Sequence, residues 1–180
     1  MTELEHQLKK ELVKNIWDVI FSTGVLGIFK KGSKEAIINS IQFDDRELKE
    51  IDKFDDYDYW HFVKLKVIHK ELLPLYREDL NIDPENPYTY TAKLFNQFIK
   101  LYWLQIVNLY PDDFWKHCSM IHPIFSNKFI KHIVDDKATI NFFNEEEYYD
   151  HVEYYRSFLK NPLCDEVTIH TIALIDGIDV

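Results

Sequence analysis

Three side chains that bind transition metals lie close together in the sequence, at His117, Cys118 and His122. Asp113 lies one helical turn before His117, and Cys118 and His122 are spaced so that they could share one face of a helix. A structural zinc site needs four ligands at paired spacings, and the sequence offers no second pair. We therefore interpret these residues as a partly buried cysteine and two amphipathic histidines, and we expect no metal and no other cofactor.

Two other arrangements match the letters of known catalytic or phosphate-binding motifs. Pro111-Asp112 with Asp135-Asp136-Lys137 fits a PD-(D/E)xK nuclease, but that chemistry needs its acids on adjacent strands, and Asp112 is predicted to open a helix. The stretch from Gly27 to Lys34 has serine before lysine, the reverse of the order in a phosphate-binding loop. The sequence also lacks the motifs of α/β-hydrolases, zinc proteases and dinucleotide-binding folds. These observations favour a protein that is not an enzyme.

A histidine-based chemistry remains as the alternative. Glu147 and His151 are one helical turn apart, a spacing suited to general base catalysis, but the di-iron pattern needs such a pair on two helices. In this alternative the protein is a helical enzyme or small-ligand binder with a pocket beside its central helix. Its chemistry would be carried by His69, His117, His122 or His151.

Acidic and aromatic residues are mixed in two segments, DKFDDYDYW at 52–60 and FFNEEEYYDHVEYY at 142–155. Tyrosine and tryptophan supply much of the binding energy at protein interfaces, and carboxylates accelerate encounter with a basic partner. Successive helical residues are about 100° apart, so neither Tyr148-Tyr149 nor Tyr154-Tyr155 can place both rings in one core. We expect Tyr149 and Tyr154 to be exposed. The alternative is an ordinary amphipathic helix with core tyrosines and a solvated acidic face.

In composition, the segment from Glu145 to Tyr155 is similar to the immunity proteins that neutralise bacterial nuclease toxins, which are small and acidic with a Tyr-Tyr pair among carboxylates. The resemblance implies an inhibitor that occludes the basic active site of a nuclease toxin, with carboxylates in place of substrate phosphates and tyrosines supplying contact area. Acidic segments on opposite faces would contradict such a single binding surface. The residues assigned to it are Asp55, Asp56, Tyr57, Asp58, Glu145, Glu146, Glu147, Tyr149, Asp150 and Tyr154.

Composition sets the broad class of the protein. The 180 residues are 46% hydrophobic, enough for one packed domain over 1–180, and only four are glycine, which favours helices over the tight turns of a β fold. The net charge of −10 argues against nucleic-acid binding. Two cysteines and a polar first segment without a secretory signal favour a cytoplasmic protein.

The strongest structural signal is the stretch from 91 to 109, which predicts a central helix. Phe95, Phe98, Tyr102, Ile106 and Leu109 follow helical steps, and further leucines make most of the circumference apolar. Two lysines and four side-chain amides make it too polar to be a membrane span. We therefore predict a mainly α fold, a single-domain multi-helix bundle around this helix, with a minor strand pair as an option.

The remaining elements follow from periodicity and capping. Apolar residues at every fourth position from Leu4 to Ile20 predict a first helix that runs to about Phe21. Capping boxes are predicted at Thr2–Glu5, Asp44–Glu47 and Asn144–Glu147. Residues 55–58 are expected to interrupt the helices, and 60–69 and 167–175 fit either helix or strand, with helix favoured.

Overall fold

The computed structural model describes residues 3–42, 47–48, 51, 53–106, 120–124 and 144–158. These ranges contain five α-helices, α1 (Glu3–Ser22), α2 (Lys34–Ser40), α3 (Phe54–Leu72), α4 (Tyr90–Ile106) and α5 (Glu145–Phe158). Short 3-10 turns span Val25–Ile28, Leu73–Leu75 and Glu78–Leu80. The prediction of a mainly α fold is confirmed. In place of the optional strand pair, the described residues contain one isolated antiparallel bridge between Phe29 and Tyr76.

Helix α4 is the axis of the described core. Leu94, Phe95 and Ile99 are fully buried, and α4 packs against both α1 and α3. The ring of Trp17 on α1 lies 5.0 Å from that of Phe98, measured between centroids. The central helix predicted from the apolar pattern is thus confirmed through residue 106, and its predicted last turn, 107–109, lies outside the described residues.

Helix α1 buries only part of its apolar row. Ile16 and Ile20 are fully buried beside Trp17, as the four-residue spacing predicts, but Leu4 and Leu8 are exposed. The predicted helix is confirmed, but its first two turns leave their part of the apolar row exposed. The reason is that α1 meets the core through its second half, so its first turns extend beyond the hydrophobic cluster.

Helix α3 begins earlier than the sequence predicted. The acids at 55–58 were expected to interrupt the helices, but Asp55 and Asp56 form the first turn of α3, where carboxylates interact favourably with the positive end of the helix dipole. The ambiguous segment 60–69 is helical throughout. The chain tightens into a 3-10 turn at Leu73–Leu75, where Pro74 ends the helix.

A chain of hydrogen bonds connects the loop at 81–87 to α3 and α4. His69 Nε2 donates to the carbonyl of Asp83 at 3.0 Å, so its Nδ1 must accept, and it does so from the Thr91 hydroxyl at 2.7 Å. The Tyr76 hydroxyl in turn donates to Thr91 at 2.8 Å. Burial lowers the pKa of His69, which favours the neutral ring that this chain requires.

Helix α5 starts with the predicted capping box. The Asn144 side chain accepts from the amide of Glu147 at 2.9 Å, and the Glu147 carboxylate accepts from the amide of Asn144 at 2.9 Å. Other predicted features lie outside the described residues: the capping residues Thr2 and Asp44, the metal-binding candidates Asp113, His117 and Cys118, the nuclease-like residues Asp112 and Asp135–Lys137, and the segment 167–175.

Candidate functional site

An ion pair between α3 and α5 brings the two acidic segments together. Arg156 donates from Nη1 to Asp58 Oδ2 at 2.8 Å and from Nη2 to Asp58 Oδ1 at 2.6 Å, which makes the ion pair bidentate. The Arg156 guanidinium also lies 4.6 Å from the ring centroid of Phe54, and Tyr149 donates to the Asp58 carbonyl at 3.4 Å. Arg156, near the end of α5, thus contacts Phe54 and Asp58 near the start of α3, while the ring of Tyr148, near the beginning of α5, lies 6.0 Å from that of His61 further along α3, measured between centroids.

The Asp58 carboxylate is also the end of a buried chain of hydrogen bonds. His122 Nε2 donates to Asp58 Oδ1 at 2.7 Å, so the His122 Nδ1 accepts, from the hydroxyl of Tyr148 at 3.0 Å. That hydroxyl accepts from Asn96 Nδ2 at 2.9 Å, and the same amide donates to the Pro123 carbonyl at 2.8 Å. The chain therefore links α4, α5, the segment 120–124 and α3.

His61 completes this network from the middle of α3. Its Nε2 must donate to Oδ1 of Asn96, 2.7 Å away, because that oxygen can only accept. The other nitrogen, Nδ1, is then a bare acceptor, and no donor among the described residues reaches it. The ring lies 4.1 Å from that of His122 between centroids. A fully buried nitrogen without a partner is uncommon in folded proteins.

Burial and pairing fix the charge states of this network. Burial lowers the pKa of His61 and His122, so both rings are neutral, although the nearby Asp58 carboxylate opposes the effect at His122. Burial alone would raise the pKa of Asp58, but the hydrogen bonds from Arg156 and His122 outweigh it and hold the pKa below its ordinary value. The Asp58 carboxylate is thus paired with the Arg156 guanidinium, which also donates to the exposed Glu153 carboxylate at 2.8 Å.

The centre of the network is buried. His61, His122 and Tyr148 are fully buried, and a general acid or base must come within hydrogen-bond reach of the group it serves. Of the histidines named for the enzyme alternative, His122 belongs to this network and His69 belongs to a separate chain of hydrogen bonds. Within the described residues, no group of three His, Cys, Asp or Glu side chains is arranged to hold a metal ion.

Three residues assigned to the binding surface turn inward. Tyr57 is only 1% exposed, because it shares the inward row of α3 with His61 and Leu65, so assigning it to partner contact is wrong. Asp58 is not the free carboxylate that this assignment requires, because Arg156 and His122 donate hydrogen bonds to it. Tyr149, predicted to be exposed, is half-buried against α3.

The other seven assigned residues are exposed, at the positions predicted for a surface role. These are Asp55, Asp56, Glu145, Glu146, Glu147, Asp150 and Tyr154. The Glu147 carboxylate already accepts a hydrogen bond within the protein, from the Asn144 amide at the start of α5.

Exposed residues of α3 and α5 lie on the solvent side of the Asp58–Arg156 ion pair. With about 100° between successive helical residues, Asp55 and Tyr59 lie on the solvent side of Asp58, and residues of α5 lie on the solvent side of Tyr149 and Arg156. We call this surface the acidic face. It consists of Asp55, Tyr59, Glu146, Asp150 and Glu153, all of which are exposed.

The acidic face shares Asp55, Glu146 and Asp150 with the predicted surface and includes two residues that the prediction lacked. Tyr59 and Glu153 were missed, although Tyr59 is 71% exposed. The sequence contained a signal for both residues. Tyr59 lies four residues after Asp55 and Glu153 lies three residues after Asp150, so each falls on the same side of its helix as an acid of the predicted surface. Asp56 and Tyr154 lie further around the two helices from this face.

Comparison of the chain with protein-family models, with curated proteins and with solved structures finds no match. A search of the described helices for a stretch long and apolar enough to cross a membrane finds none.

Proposed function

We propose that this protein binds a basic protein through its acidic face and acts by inhibition. The observation that supports the proposal is the Asp58–Arg156 ion pair, which links the two acidic helices. Arg156 pairs with Asp58 and Glu153. Its guanidinium therefore does not compensate the exposed carboxylates of Asp55, Glu146 and Asp150. Two acidic segments on opposite faces would have argued against this function.

The partner that suits such a surface is an enzyme whose active site binds phosphates, and we propose a nuclease toxin. Carboxylates spaced along two neighbouring helices would occupy the positions of substrate phosphates, and the toxin would be blocked by occlusion. Tyr59 and Tyr154 would contribute contact area at the centre and the edge of the interface. The charge of −10 would accelerate encounter with a basic toxin.

The test is an association experiment with the toxin candidate encoded beside the gene for this protein. We expect a stable complex, loss of the partner's nuclease activity, and an association rate that falls steeply as salt is raised. The double variant Asp55→Lys/Asp150→Lys should associate at least about tenfold more slowly, because it reverses two charges on the acidic face.

The matched control is Glu3→Lys/Glu35→Lys, which makes the same change in net charge at exposed positions on α1 and α2. It should retain most of the parent association rate. Equal slowing by the two double variants would show that only net charge matters, and failure of the pair to bind would refute the proposal for that toxin.

A further inference from the structure

The outer surface of α3 carries a row of exposed apolar side chains that the acidic face does not explain. Tyr59, Val63 and Val67 are 71%, 41% and 52% exposed, and they lie one helical turn apart. Isolated exposed valines are common on protein surfaces, but a contiguous apolar row along one helix is the kind of feature that marks an interaction site. We call Tyr59, Val63 and Val67 the apolar row.

Charged residues of opposite sign lie at the two ends of this row. Asp56 precedes it and Lys70 follows it, each seven residues from Val63, and both are exposed. The positions 56, 59, 63, 67 and 70 follow the three- and four-residue steps of a helix face that can pack along a partner helix. Lys66 does not interrupt the surface, because its ammonium lies over the Phe62 ring at 4.0 Å from the centroid.

We propose that the occupant of this surface is a second copy of the same chain, with its α3 packed antiparallel. A two-fold axis at Val63 places Val63 against its own equivalent, Tyr59 against Val67, and Asp56 against Lys70 at both ends. Such an interface is self-complementary, as a closed two-fold dimer requires. A parallel arrangement would instead place like charges together at both ends, so the charge pattern selects the antiparallel one.

The dimer is a weak one. The stretch from 56 to 70 spans about 21 Å at 1.5 Å per residue, and a single pair of helices of that length buries less than the roughly 1,200 Å² of a stable interface. Two copies with a net charge of −10 also repel each other. Moderate salt screens that repulsion and strengthens self-association, whereas it weakens the binding of a basic partner to the acidic face.

This inference goes beyond the proposed inhibitor function and does not depend on it. Asp56, Val63, Val67 and Lys70 are not part of the acidic face, and Tyr59 alone belongs to both surfaces. A dimer can therefore form whether or not the acidic face binds a toxin, and variants at Val63 report on the dimer alone.

The first experiment is sedimentation velocity on the full chain at about 10 to 500 µM in moderate salt. We expect the parent to shift from monomer towards dimer as concentration rises, and Val63→Glu to weaken dimerisation at least about tenfold. Val19→Glu is the matched control, since Val19 is an equally exposed valine on α1, and it should leave dimerisation unchanged. A parent that stays monomeric, or equal effects of the two substitutions, would overturn the proposal.

The second experiment tests the antiparallel register by exchanging charges. Asp56→Lys places lysines at both ends of the row, and Lys70→Glu places acids at both ends, so each variant alone should self-associate less than the parent. A mixture of the two should form a mixed dimer, because each end then pairs an acid with a lysine. If the mixture associates no better than either variant alone, the proposed register is wrong.

Discussion

Arg156 holds both carboxylate oxygens of Asp58, at 2.8 and 2.6 Å, although the two residues are 98 positions apart in the chain. An acid in the middle of a strongly acidic segment is thereby turned inward and neutralised. The same carboxylate oxygen accepts from His122, which ties the segment 120–124 to the pair. The Asp58 carboxylate, which was assigned to the binding surface, instead pairs with Arg156 and links the two helices that carry that surface.

Removing one member of this pair should destabilise the fold through the charge left behind. We expect Arg156→Met to lower the free energy of unfolding by about 2 kcal/mol, at the low end for a buried pair because Asp58 reaches solvent. Combining it with Asp58→Leu should cost less than the sum of the single changes, giving a coupling energy above about 1 kcal/mol. Urea denaturation of the four proteins measures it.

The control for this cycle is the exposed pair of Glu11 and Lys14, whose charged atoms are 4.0 Å apart. Its coupling energy should stay below about 0.5 kcal/mol, as for surface ion pairs generally. Equal coupling in the two cycles would contradict a special role for Asp58 and Arg156.

The hydroxyl of Tyr148 should contribute measurably to stability. Tyr148→Phe removes the donor to His122 and the acceptor for Asn96, leaving buried polar atoms short of partners, so we expect a loss of about 1–3 kcal/mol in the free energy of unfolding. Tyr59→Phe, the same change at an exposed ring, should have almost no effect. Similar losses in the two variants would argue against the hydrogen-bonded network.

Stability should fall as the pH drops below about 6.5, the ordinary pKa of histidine. Burial lowers the pKa of His61, His69 and His122, so the unfolded chain binds more protons in this window and stability is lost as pH falls. Each buried histidine contributes a slope of at most about 1.4 kcal/mol per pH unit. Asp58, whose folded pKa is lowered, adds its own loss only below about pH 4.

Urea denaturation between pH 7.5 and pH 5.5 measures this slope. His122→Gln should be less stable than the parent at pH 7.5 but lose less stability on acidification, because one proton-binding group is gone. His6→Gln, at an exposed position on α1, is the control and should keep the parent slope. A slope unchanged in His122→Gln would contradict a neutral, buried ring.

Substitutions along α4 should follow burial. Phe98 is buried against Trp17, so Phe98→Ala should cost about 3–5 kcal/mol and, in a domain of ordinary stability, unfold much of the protein. Leu101 is only partly buried and its truncation should cost less. Val67→Ala, on the exposed row of α3, should cost under about 0.5 kcal/mol. Thermal unfolding followed by circular dichroism ranks the three.

Much of the fold could be predicted because its signals are local. The apolar stripe that begins with Leu94 and Phe95 predicts α4, Asn144 and Glu147 mark the start of α5, and Pro74 marks the end of α3. Each of these signals involves residues within a turn or two of one another. The error at residues 55–58 arose because the start of α3 depends on how far the neighbouring elements reach.

The buried network could not be predicted, because its members are scattered along the chain. Asp58 has no local feature that distinguishes it from Asp55 or Asp56, and its partner Arg156 lies in another acidic segment. One signal was available: Tyr57, His61 and Leu65 share a helical row, which would have placed Tyr57 inside. Asn96, a polar residue within the most apolar helix, was a second hint of a buried polar contact.

The chain of hydrogen bonds through Asn96, Tyr148, His122 and Asp58 draws one residue from each of four separate parts of the sequence. It can therefore close only after the last of them, Tyr148, has left the ribosome. A nascent chain that stops before α5 would bury the polar groups of Asn96 and His122 without their final partner. We expect such a chain to remain loosely packed and open to proteases until synthesis passes α5, so the network makes the presence of α5 a condition for close packing.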